Sequence, residues 1–247
     1  MDLLPYIIGS AFFLVALLYA SVGHAGATGY LAVMAIAGIQ PSVMKPTALT
    51  LNIVVASIAT YKYYRNDAIS LRLLIPLILV SIPCAYIGGR INLPPHYYKP
   101  MVGLFLLFAA YKAFFSANQS ANYRVNVAKL PVLYVVGASL GFLSGLTGVG
   151  GGVFLSPLML AMRWAPIRTI SGTAAGFILV NSISGLAGLL SSTPQTMDGM
   201  SWWILAVILG GYLGAEFGSH RFSPSTIQKL LAGTLLIAGI KLISSIL

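Results

Sequence analysis

The chain has 247 residues, of which 58% are apolar and only 7% charged, and its mean hydropathy is +0.90. A soluble domain carries about 25% charged residues to keep its surface wet, so this composition excludes a soluble fold and requires most of the surface to face lipid. The 14 Lys and Arg against 4 Asp and Glu would point to nucleic acid in a soluble chain. Here the cations fall in short loops between apolar spans, where membrane topology accounts for them, and nucleic acid is not an expected partner.

Spanning helices need roughly 17–25 apolar residues each. In chain order the apolar runs cover 3–20, 47–61, 69–89, 97–115, 131–146, 170–190, 202–219 and 226–246. Asp2 precedes the first run and no basic segment does, so that run is expected to be a retained helix and not a cleaved signal. Two apolar stretches, 29–39 and 152–162, are too short to span. Each follows a glycine-rich break: SVGHAGATG at 21–29 and LTGVGGG at 146–152. About 11 residues at 1.5 Å each cover about half of a ~30 Å hydrocarbon core, so each stretch reads as a half-helix starting near mid-membrane. The lone Cys84 lies inside a span, which leaves no intramolecular disulfide and no cysteine-rich metal site.

The long polar connection between Lys112 and Pro131 divides the chain into a first repeat (1–116), a linker (117–130) and a second repeat (131–247). Gly23 matches Gly148 and Pro41 matches Pro166, both 125 residues apart. Thr47-Ala48 matches Thr173-Ala174 and Tyr86-Ile87-Gly88 matches Tyr212-Leu213-Gly214 at 126, and Pro94, Lys99 and Gly103 match Pro224, Lys229 and Gly233 at 130. An ordered run of matches with small drifts is how a diverged duplication behaves. Five segments per half is an odd number, so the halves are expected to face opposite ways. With the N-terminus outside, the cytoplasmic loops hold Lys62, Arg65, Arg72, Lys112, Arg124, Lys129, Arg163, Arg168, Arg221 and Lys229, against Lys45, Arg90, Lys99 and Lys241 outside. The loop around Asp198 carries no cation, which suits the outer face. The expected fold is therefore an all-α, multi-pass inner-membrane protein of two inverted repeats, an arrangement in which secondary transporters place their site at the repeat interface.

The breaks carry the expected chemistry. A half-helix N-terminus exposes N–H groups without intrahelical partners and the positive end of the helix dipole. Glycine lets the backbone curl around an anion through positive φ. Two such ends meeting at mid-membrane make an anion site without a buried Lys or Arg. The expected cargo-binding residues are Gly23, His24, Gly26, Thr28 and Gly29 in the first break, Gly148, Gly150, Gly151 and Gly152 in the second, and the matched pair Thr47 and Thr173. Thr50, Asn52 and Asn181 add polarity nearby, whereas Gly137, Gly141, Gly145, Gly185 and Gly188 are expected to serve close helix packing. His24 is the single ionisable group expected at mid-membrane. It serves either in proton coupling or as a neutral, hydrogen-bonded stiffener of the break. Glu216 and Arg90 fall near helix ends and reach the interface, and His96 and His220 fall in loops.

Gly148, Gly150, Gly151 and Gly152, followed by Pro157 in the next helix, with the proline-led loop and the Gly172-Thr173-Ala174 step, resemble the TauE/SafE family of sulfite and organosulfonate permeases. The resemblance spans essentially the whole chain and is strongest in its second half. In the first half Ala25 and Ala27 stand where glycines are expected, His24 takes the variable position, and Pro157 has no counterpart. The resemblance implies transport of sulfite, an organosulfonate or another small organic anion. A passive anion channel is the alternative, and an integral-membrane enzyme the more distant one: three histidines and four acids are scattered, with no catalytic constellation, metal site or cofactor motif among them. Proton coupling and a homodimer are compatible with the sequence; neither follows from it.

Overall fold

The structure is a computed structural model and describes residues 4–21, 24–115, 124–192, 200–217, 235–237 and 239–244. Gly23, Asp198, His220, Arg221, Pro224, Lys229 and Gly233 lie outside the described residues. The elements are all helical: α1 (Leu4–Ser21), α2 (Ala27–Ile36), α3 (Pro41–Arg65), α4 (Leu71–Arg90), α5 (Pro95–Phe115), α6 (Leu130–Thr147), α7 (Gly152–Ala161), α8 (Ile167–Ser192) and α9 (Met200–Phe217). Residues 235–237 and 239–244 are helical as well. Among the described residues, Pro41–Arg65, Leu71–Arg90, Leu130–Thr147 and Arg168–Ser192 are long and apolar enough to cross a membrane.

Helices α3 and α8 form the centre. Of their spanning windows 61% and 67% are buried, against 33% in both α4 and α6, which lie outside them. Helix α4 packs on α6 and α8, while α9 packs on α1 and α3. The inner faces are made of small residues. Gly137, Gly141 and Gly145 recur every fourth residue along α6 and meet Leu77, Ser81 and Ala85, which recur at the same spacing on α4; a Cβ on any of the three would strike α4 backbone. Gly188 meets the Tyr86 carbonyl and Gly185 the Gly145 backbone, so the glycines assigned to packing do pack. Without a hydrophobic drive between helices in lipid, this close approach supplies the dispersion energy that holds the bundle. Other large apolar side chains point outward: Leu71, Ile75, Leu79, Ile82 and Tyr86 form an exposed stripe along α4, which lipid tolerates and water does not.

Two expectations about element ends need correction. Helix α3 begins at Pro41 and not at Thr47. Pro41 takes the first helical position, where its missing N–H is an orphan anyway, and the N–H that Pro46 lacks would serve only the carbonyl of Ser42 in that first turn. His96 lies in the first turn of α5, 4.1 Å from the Tyr97 ring centroid, and not in a loop.

Lys45 is consequently not a loop cation. It is buried in α3, and its Nζ donates to the carbonyls of Gly89 at 2.9 Å, Ile91 at 3.1 Å and Gly88 at 3.4 Å. Its ammonium thus closes the C-terminus of α4, where orphan carbonyls and the negative dipole end both favour a cation. Lys241 does the same for α2 by donating to the Ile36 carbonyl at 2.6 Å. Near the C-termini of α3 and α9, Lys62 pairs with the exposed Glu216 at 2.7 Å, and just after α7 the Arg163 carbonyl accepts the N–H of the linker residue Asn126 at 2.8 Å. Replacing Lys45 by methionine leaves three carbonyls without their donor, at about 1–3 kcal/mol. The Lys45→Met protein is expected to melt well below wild type in detergent, whereas Lys129→Met at an exposed position melts with it. Equal melting temperatures for all three would remove the capping role.

Candidate functional site

The two short helices are built alike. Each is 10 residues long, and each is preceded by a left-handed glycine at its N-cap: Gly26 with φ 99° for α2 and Gly151 with φ 75° for α7, neither helix having a side-chain cap. Their C-terminal turns also correspond at the 125-residue offset. Gly38 (φ 74°) and Arg163 (φ 56°) are both left-handed, the N–H of Ile39 bonds the Met34 carbonyl, and that of Trp164 bonds the Met159 carbonyl, each at 2.9 Å. This is the reverse turn that ends helices through an αL residue, and it holds even where the residue is arginine.

A small pocket lies at both N-termini. From the first half come Tyr19, His24, Ala25, Gly26, Ala27, Thr28 and Asn52; from the second come Val149, Val153 and Ile178. The carbonyls around it are tied back. Tyr30 Oη donates to the Ala25 carbonyl at 3.0 Å, Tyr98 Oη donates to the Thr147 carbonyl at 2.9 Å, and Asn52 Nδ2 lies 3.5 Å from the Val149 carbonyl. Thr147 Oγ1 accepts from the Val149 N–H at 3.2 Å and donates to the Leu143 carbonyl at 2.7 Å, which fixes the second break. Tyr19 Oη and Thr28 Oγ1 share a hydrogen at 2.7 Å, and the His24 N–H bonds the Tyr19 carbonyl at 2.9 Å. Several backbone carbonyls are thereby occupied, while the helix N-termini carry no side-chain cap, a combination that suits an anion.

The sequence-derived site residues divide. His24, Gly26 and Thr28 line the pocket. Gly150 (φ 79°) adjoins it, since a Cβ there would lie 2.5 Å from Asn52 Nδ2, and Gly151 meets the Phe177 ring. Gly152 packs on Ile178, Gly29 on Val15 and Tyr19, and Gly148 (φ 81°) on Lys45. Thr47 and Thr173 are buried but are not among the lining residues, and Thr173 Oγ1 accepts the Ser70 N–H at 3.2 Å. Gly23 lies outside the described residues. Tyr19, Asn52 and Ile178 were not chosen as site residues from the sequence. The signal that finds the last two is the 126-residue offset, which makes Asn52 and Ile178 counterparts, one on each central helix.

Residues 8–242 match the family described as Sulfite exporter TauE/SafE. The chain belongs to the TauE/SafE family. It is 38% identical over 236 residues to the probable membrane transporter protein y4hK of Sinorhizobium fredii, covering 94% of this chain and 96% of that protein. It is 28% identical over 243 residues to the probable membrane transporter protein YjnA of Bacillus subtilis, covering 90% and 92%. No solved structure matches it. This TauE/SafE chain is thus a membrane protein of a transporter family, and its described helices include four fit to span.

Gly150 and Gly151 are the positions at which the break is most sensitive. A β-branched residue must adopt a left-handed φ there, at about 1–3 kcal/mol each, and must also displace Asn52 or Phe177. Gly150→Val and Gly151→Val are expected to lose stabilisation by small anions in thermal melts, whereas Gly137→Ala lowers the melting temperature without changing which anions stabilise. A Gly151→Val protein that folds and transports at the wild-type rate would place the site elsewhere.

Proposed function

We propose that this TauE/SafE protein is a secondary transporter of the cell inner membrane that carries a small anion, such as sulfite, an organosulfonate or a related organic anion. The observation that carries the reading is a small pocket lined by the starts of α2 and α7, with left-handed glycines at both N-caps and neighbouring carbonyls already bonded. A transporter rather than an enzyme is favoured because the relatives are named probable membrane transporter proteins.

The reading includes a duplicated, inverted architecture. Its support is the exchange of partners between halves: α4 packs on α6 as α9 packs on α1, and α4 packs on α8 as α9 packs on α3. Individual contacts follow the same exchange. Gly88 abuts the Phe142 carbonyl and Gly214 abuts the Leu17 carbonyl, and both members of each pair are related by the 125–126 offset. Inverted repeats let one set of contacts serve an outward-open and an inward-open state around a central site. Counterflow separates carrier from channel: a carrier loaded with unlabelled anion accelerates uptake of the labelled one and saturates, while a channel does neither.

His24 is proposed to couple transport to protons. Of the residues lining the pocket only His24 and Tyr19 are titratable, and the Tyr19 hydroxyl is bonded to Thr28. Imidazole titrates near neutral pH, and a bound anion favours the imidazolium. Binding cargo then takes up a proton, so by linkage lower pH tightens binding. Anion uptake into proteoliposomes should rise from mildly alkaline to mildly acidic pH in wild type, and His24→Gln should flatten that rise. Parallel profiles in the two proteins would remove His24 from coupling.

A further inference from the structure

The pocket is asymmetric in a way the duplicated backbone does not require. At the offsets that relate the halves, Tyr19 corresponds to Ser144, His24 to Val149, Thr28 to Val153 and Asn52 to Ile178. The first member of each pair lines the pocket, and so do Val149, Val153 and Ile178. One wall is polar and the other is aliphatic. A bare oxyanion, hydrated on every side, gains nothing from an aliphatic wall; a molecule with carbon on one side does.

Asn52 adds a second constraint. It is fully buried, and its Nδ2 lies 3.5 Å from the Val149 carbonyl and from Ser182 Oγ, while its Oδ1 has no hydrogen-bond partner. The amide orientation follows from Val149, whose carbonyl accepts and cannot donate. Gly150 keeps this corner open, because any Cβ there would collide with the amide. A buried acceptor without a donor is destabilising, and a ligand that supplies the donor relieves it. The pocket then offers three things at once: N–H groups for an anionic head, one carbonyl oxygen for a donor, and aliphatic side chains for carbon.

We infer that Asn52 is a specificity-determining residue that selects organic anions bearing a hydroxyl or ammonium group beside the charged head. This rests on the anion-transporter reading of the same pocket. The test uses purified wild-type protein and two matched pairs of probes: 2-hydroxyethanesulfonate against ethanesulfonate, and lactate against propionate. Binding is read by thermal stabilisation and by competition for uptake in proteoliposomes. The hydroxylated member of a pair is expected to bind roughly tenfold tighter than its partner. Asn52→Leu should bring that ratio to about one, and Asn52→Ser, which keeps an acceptor, should retain part of it. Equal or weaker binding of the hydroxylated members by wild type overturns the inference while leaving the anion site intact. An unchanged ratio in Asn52→Leu overturns the role of Asn52. Binding of none of the four probes overturns the anion-site reading and this inference with it. The wild-type ratio stands as a test even where a variant does not fold.

Discussion

In hydrocarbon every backbone N–H and C=O needs a partner inside the protein, and an interrupted helix breaks that requirement at its own ends. The structure meets it one group at a time. The starts of α2 and α7 face α3 and α8, the two more buried of the four spanning helices. Carbonyls of the breaks accept from Tyr30 and Tyr98 or approach Asn52, the Val149 N–H donates to Thr147 Oγ1, and the left-handed glycines turn the chain without a side chain to exclude neighbours. With several carbonyls of the breaks occupied, the uncapped helix starts leave N–H groups open to a ligand. The constraint that makes a broken helix costly in a membrane is the one on which the proposed anion site rests.

Everything outside this centre is arranged so that the centre stays closed to lipid. The glycine rows of α6 let α4 approach until backbone touches backbone, and Gly210 and Gly214 of α9 do the same against Phe13 and Leu17 of α1. Large side chains on those inner faces would hold the helices apart and let lipid reach the breaks. Their place is the outer stripe of α4, where Ile75 and Leu79 are exposed. The helix ends are closed by long cations, Lys45 on α4 and Lys241 on α2. Lys45 also lies against Gly148, so one side chain closes α4 and packs against the second break.

The short helices were legible because two local signals coincide, a glycine run and an apolar stretch too short to span. The packing glycines were legible for a similar reason, as their fourfold spacing is visible along one strand of sequence. Lys45 was not, because Pro41 and Pro46 beside it look like a loop until the helix is seen to begin on the first and pass over the second. Thr173 was chosen for its match to Thr47, yet its hydroxyl is engaged by the Ser70 N–H from the turn before α4. Asn52 was underrated, since its meaning depends on the Val149 carbonyl, 97 residues away and in the other half. Local pattern reveals where the chain must bend; it does not reveal which side chain from a distant helix arrives at the bend.

The proposed duplication also distinguishes what the backbone requires from what it leaves open. Where both halves keep a feature, it serves the scaffold. Gly26 and Gly151 cap both short helices, and the αL turn persists at Gly38 and Arg163 although only one of them is glycine. Where the halves differ at the same backbone position, the scaffold has permitted either residue and the difference is free to serve recognition. Ala25 against Gly150 is informative here. Ala25 has no left-handed φ, and Tyr30 holds its carbonyl, whereas Gly150 at φ 79° leaves room for the Asn52 amide. The extra glycine lies in the second half, and the side chain it accommodates comes from the first. The room for the Asn52 amide therefore depends on the absence of a side chain at Gly150, so neither residue shapes that corner of the pocket alone.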